Sequence, residues 1–147
     1  MSINKKILGL TTAGMLTAVL SGQVMAHGDV TPQAVDVTGL KMLGEEWLES
    51  NPYTPDYENH KLAVEIGTSA YTQNCARCHG LDAISGGIAP DLRYLEPGLE
   101  GDEWYKYRVI NGAVRDGRVY MPKMADSLSQ EALWAIRAYL ETRATDE

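Results

Sequence analysis

The chain holds two cysteines, and they stand three apart in YTQNCARCHG (Tyr71–Gly80): Cys75 and Cys78, with His79 directly after the second. No other feature of the 147 residues limits the fold so sharply. A structural disulfide is a poor reading, because two intervening residues close a tiny loop and small exported disulfide scaffolds bring several pairs. Zinc needs four ligands, and the remaining histidines, His27 and His60, do not lie at finger spacing. A thioredoxin-like dithiol follows a strand in a βαβ unit, whereas the residues before Cys75 read as helix. The spacing therefore predicts covalent haem attachment, with a redox dithiol as the remaining alternative. Two thiols one tight turn apart each form a thioether to one vinyl group, and His79 is placed beneath the iron as its proximal ligand.

The N-terminus suits that reading. Lys5 and Lys6 precede the apolar run ILGLTTAGMLTAVL, and small residues, Val24 and Ala26, stand where a signal peptidase reads. This predicts a signal peptide at residues 1–26 and export. The apolar run is about 14 residues, short of the roughly 20 that a membrane span wants. No second run follows, so the mature chain is not expected to be membrane-embedded. It would keep 11 basic and 20 acidic residues, net −9. That balance argues against nucleic acid or an anionic membrane as partner, and it predicts steering towards a basic docking patch. The expected organisation is a Pro-containing N-terminal extension at 27–60, one haem domain at 61–143 and a tail at 144–147. Within the extension, Leu40, Leu43 and Trp47 recur at helical spacing and predict a short helix over 39–49.

Lys61 to Asn74 reads as the helix that delivers the chain to Cys75. Gly67 lies on one face with Tyr71 and Cys75, and a glycine costs a helix about 1 kcal/mol relative to alanine, so a close backbone approach is expected there. The partner expected is the terminal segment SLSQEALWAIRAYLE, an amphipathic helix with Ser129 as N-cap and Trp134 or Tyr139 packing on the face opened by Gly67. Between them, GLDAISGGIAPDLRYL reads as loop. A ligating histidine gives its other ring N–H to an acceptor, and the Pro90 carbonyl is a natural one. Further on, GRVYMPKMAD is expected as a loop carrying the distal ligand, Met121, which Pro122 stiffens, or alternatively Met124.

Together GTSAYTQNCARCHG, IAPDL, INGA, YMPKM and LSQEALWAIRAYL resemble the class I c-type cytochromes over residues 60 to 143. HGDVTPQAVD, ISGGIAPDLRYL and GAVRDGRVYMPKM are similar, within that class, to the PedF-type cytochrome c-550 group associated with pyrroloquinoline quinone (PQQ)-dependent alcohol dehydrogenases. The resemblance implies an all-α fold, few helices around one covalent haem c held by Cys75 and Cys78 and ligated by His79 and Met121. It also implies Arg93, Tyr94 and Trp104 as contacts of the haem propionates, since Arg pairs with carboxylates and Trp offers an N–H. The activity implied is electron carriage, not enzymatic conversion, with a periplasmic quinoprotein alcohol dehydrogenase as donor and a terminal oxidase or another cytochrome as acceptor. The alternatives are a haem enzyme or gas-binding protein with an open iron position, or a permanent electron-transfer subunit of one dehydrogenase.

Overall fold

The computed structural model describes residues 32–146. The expected signal peptide and its cleavage point lie outside the described residues. Helix α1 (His60–Asn74) runs into a single turn, α2 (Ala76–His79). A long irregular segment follows, with 3-10 turns at Leu81–Ala83 and Leu92–Tyr94, before helix α3 (Leu99–Asn111). Strands β1 (Ala113–Arg115) and β2 (Arg118–Met121), a 3-10 turn at Met124–Asp126 and helix α4 (Gln130–Glu141) complete the chain. Helices dominate, as expected.

The central packing is α1 against α4. The buried residues of α1 are Ala63, Gly67, Ala70, Tyr71 and Asn74, a stripe at helical spacing with three small side chains. Small residues let the two axes approach, and at Gly67 the two backbones are in close contact. A Cβ at that position would overlap the Ala135 carbonyl oxygen. The approach is thus made by the backbone of α4, as the glycine suggested. Of the two aromatics expected on that face, Tyr139 packs there, one turn on, with its ring centroid 5.2 Å from that of Tyr71.

Helix α4 is buried all round from Gln130 to Leu140, although its sequence reads as amphipathic. Its N-cap is Ser129, whose hydroxyl accepts from the Ala132 N–H at 3.3 Å. Helix α3 covers one side: the Tyr105 hydroxyl donates to the Leu133 carbonyl at 2.7 Å. The N-terminal extension covers another. The helix expected over 39–49 does not form, and that segment is an irregular strap laid across the start of α4. The reason lies in where its backbone hydrogen bonds go. The Leu43 N–H donates to Glu131 Oε1 and the Leu48 N–H to Gln130 Oε1, both at 2.7 Å. The Gln130 amide in turn donates to the carbonyls of Gly44 and Glu46. Backbone groups satisfied by α4 side chains have no need of an intrahelical partner. Trp47, the residue that suggested a helix, packs on Trp134 with centroids 6.3 Å apart.

The second departure is the loop expected at GRVYMPKMAD. Arg118–Met121 is a strand paired antiparallel with Ala113–Arg115. Asp116 and Gly117 both have positive φ, 49° and 73°, as the two-residue turn that matches hairpin twist requires. The dipeptide Asp-Gly between valines was the available signal.

Candidate functional site

Cys75 closes α1, its N–H donating to the Tyr71 carbonyl at 2.8 Å. The next turn is built on its own carbonyl, which accepts from the N–H groups of Cys78 (3.1 Å) and His79 (3.0 Å). Cys75, Cys78 and His79 therefore share one helical turn, where residues three and four apart are neighbours. Gly80 then leaves the helix at φ 84°, and a Cβ there would overlap the Ile84 carbonyl oxygen. Only glycine combines that angle with that approach. The Tyr71 hydroxyl ties the exit down by donating to the Gly80 carbonyl at 2.7 Å.

The His79 ring faces the loop that follows. Its Nδ1 lies 2.8 Å from the Pro90 carbonyl oxygen. A carbonyl only accepts, so the proton is on Nδ1 and the lone pair of Nε2 is left for a metal. Asp91, which the sequence reading passed over, shapes this loop. Its carboxylate accepts from the N–H groups of Ser85 (3.1 Å) and Arg93 (3.0 Å), and from the Arg93 fork at 3.0 and 2.9 Å. The bond from the Arg93 side chain, chiefly, holds the Asp91 carboxyl down to about 2. A Pro-Asp step opening a turn was the signal that could have found it.

No disulfide joins Cys75 to Cys78. Burial of its thiol, with the neighbouring Cys78 second, pushes Cys75 up to about 12. A reactive dithiol needs a lowered thiol, so this surrounding disfavours the redox alternative. The two methionines are placed differently. Met124 is 4% exposed and sits in the core, whereas Met121 ends β2 half-buried. Core burial gives the Met124 sulfur a packing role and leaves Met121 the more available donor.

Tyr94 and Trp104 line the same shallow depression of about 480 Å³, together with Glu96, Glu100, Glu103 and Tyr107. The Trp104 ring stacks on Tyr107 and carries the Arg108 guanidinium 4.2 Å from its centroid. Arg93 stands over Tyr94, but its fork is already engaged by Asp91.

The donor set fits a covalently held haem: two thiols and an imidazole on one turn, with the imidazole's tautomer set by Pro90. So does the apolar surface around it. Leu81, Ile84 and Ile88 after the turn are all about half or more exposed. Water contact with such side chains costs about 25 cal/mol per Å², and an apolar macrocycle is a partner that would relieve it.

Helices around a Cys-x-x-Cys-His turn with a methionine-bearing segment downstream define a c-type cytochrome domain. The family model described as cytochrome c oxidase, cbb3-type, subunit III matches residues 62–140. The chain is 66% identical over its whole length, and over the whole of the relative, to cytochrome c550 of Pseudomonas aeruginosa. It is 38% identical over 135 residues to the quinohemoprotein alcohol dehydrogenase ADH-IIG of Pseudomonas putida, covering 88% of this chain and 18% of that enzyme. It is 29% identical over 114 residues to the cbb3-type cytochrome c oxidase subunit FixP of Rhizobium meliloti, covering 39% of that subunit. No solved structure gives a significant match. The chain belongs to the cytochrome c family of class I fold, and is a monohaem electron-transfer cytochrome with covalently bound haem c.

Proposed function

We propose that this protein is a periplasmic carrier of single electrons, taking them from a quinoprotein alcohol dehydrogenase and passing them towards a terminal oxidase. The observation that carries the donor is the shared cytochrome sequence, 88% of this chain, inside a quinohemoprotein alcohol dehydrogenase. The similarity to an oxidase subunit supports the acceptor. Full-length similarity to a cytochrome c550 supports a carrier and not an enzyme. Among the described residues no helix is long and apolar enough to cross a membrane.

In this reading Cys75 and Cys78 each supply one thiol for a thioether, and His79 offers Nε2 to the iron while the Pro90 carbonyl holds its Nδ1 proton. Met121 offers its sulfur from the end of β2. Arg93, Tyr94 and Trp104 are the candidates for the propionates. When bound, haem supplies a one-electron iron couple, and the protein tunes it through axial ligands, hydrogen bonds and burial.

Stopped-flow mixing with a purified periplasmic quinoprotein alcohol dehydrogenase and its alcohol tests the donor. Reduction should be first order in the dehydrogenase. Absence of reduction, with ascorbate still reducing the protein fully, would remove the dehydrogenase from the reading.

The two methionines separate by different measurements. Met121→Ala should open the iron to carbon monoxide or cyanide and lower the potential. Met124→Ala should keep the ligation and lose about 2–5 kcal/mol of stability, because it leaves a cavity in the core. Exogenous ligand binding in the Met124 variant alone would reverse the assignment.

A further inference from the structure

From residue 27 onward the chain carries net −9, but the charge is not spread evenly. Lys106 to Lys123 contains Lys106, Arg108, Arg115, Arg118 and Lys123 against Asp116 alone, net +4, while the rest holds 6 basic and 19 acidic residues, net −13. The hairpin lies in this basic stretch. Arg115 and Arg118 face each other directly across it, and both are exposed. Like charges at opposed positions weaken a hairpin. Among the described residues the ion pairs involve Lys61, Arg93, Arg137 and Arg143, and neither hairpin arginine. Arg115 stands 5.6 Å over the Tyr120 ring, which is 60% exposed.

A pairing that opposes folding, with no ion pair to a carboxylate among the described residues to relieve it, calls for an external anion. The exposed Tyr beside it indicates a protein and not a small ion, since arginines and aromatics enrich the centres of protein interfaces. We propose that the hairpin is the docking surface for an acidic patch on the electron donor. This rests on the dehydrogenase reading above, and that reading supplies a reason for it. In the quinohemoprotein relative the similar sequence is part of one long chain. A covalent link maintains a high effective concentration, which a separate carrier must replace by surface attraction. The hairpin thus locally reverses the expectation from net charge that the partner's patch is basic.

The test uses the holoprotein and Arg115→Glu with Arg118→Glu. A control, Lys41→Glu with Lys61→Glu, makes the same net charge change at two exposed positions elsewhere. At low salt the hairpin variant should be reduced by the dehydrogenase about tenfold or more slowly, and the control much less affected. The gap should close between 0.01 M and 0.1 M ionic strength, as the Debye length falls from about 30 Å to about 10 Å. Ascorbate should reduce all three proteins alike, showing an intact haem. Equal rates in wild type and hairpin variant would overturn the docking proposal alone, as would an equal loss in the control. A faster hairpin variant would overturn it in favour of a basic partner patch. A wild type that the dehydrogenase does not reduce at all would fell the donor reading and the docking proposal together.

Discussion

Serine at both Cys75 and Cys78 should yield a chain that is exported but does not fold cooperatively. Without thioethers, haem is not retained, and the stabilisation it confers by binding the folded state is lost. What remains is a small core. It centres on α1, α3 and α4, while Leu81 and Ile88 stay 71% and 77% exposed on the segment that follows His79. A domain of this size has little burial to spare. The irregular stretch from Gly80 to Gly98 contains only two 3-10 turns, and among its ties to the rest are those from His79, Tyr71, Arg137 and the Thr145 N–H. Circular dichroism should show helix content well below that of the holoprotein and a broad, non-cooperative melt. A sharp two-state transition in the double variant would show instead that the helices form a self-sufficient core and that haem is seated on a finished scaffold.

Arg137→Met should cost about 3–5 kcal/mol, a large share of the roughly 5–15 kcal/mol that holds a domain together. Arg137 and Asp102 are 1% and 4% exposed, with Nε and Oδ1 2.6 Å apart. The same guanidinium donates to the Glu96 carbonyl at 2.7 Å and reaches Glu141 at 3.4 Å. Asp102 Oδ2 accepts the Asn51 N–H at 2.8 Å. One buried cluster therefore joins the strap, α3, α4 and the loop before α3. Removing the cation leaves the Asp102 carboxylate buried with one donor, which is where the cost arises. Asp102→Leu with Arg137→Met should recover part of the loss, because removing both partners is far less costly than removing one. Recovery should stop short of wild type, since the Asn51 N–H then lacks its acceptor. Chemical denaturation of the holoproteins measures both steps. A single-variant loss under about 1 kcal/mol would show that water reaches Asp102 and that the cluster is not structural.

How much of this was legible beforehand follows from the range of each interaction. The Cys75–Cys78–His79 turn, the span of α1, the Ser129 cap and the close approach at Gly67 depend on residues within one or two helical turns, or on a glycine whose local cost demands a reason. Local chemistry determines them, so spacing and composition suffice. The Pro90 carbonyl was likewise marked in the chain by a ring without an N–H, eleven residues after the histidine it faces.

The strap over α4, the Asp102–Arg137 cluster and the burial of α4 on every side belong to the tertiary structure. Each depends on groups far apart in the chain, 88 residues in the case of Leu43 and Glu131. Leu40, Leu43 and Trp47 have helical spacing, and isolated they would give no reason to expect otherwise. The helix fails there because the side chains of Gln130 and Glu131 capture the backbone groups that a helix would use, and propensities worth tenths of a kcal/mol per residue do not outweigh partly buried hydrogen bonds. Net charge behaves in the same way. The chain alone determines that the protein is acidic, but only the folded hairpin sets Arg115 against Arg118, because cross-strand pairing brings like charges together that the sequence merely places near each other.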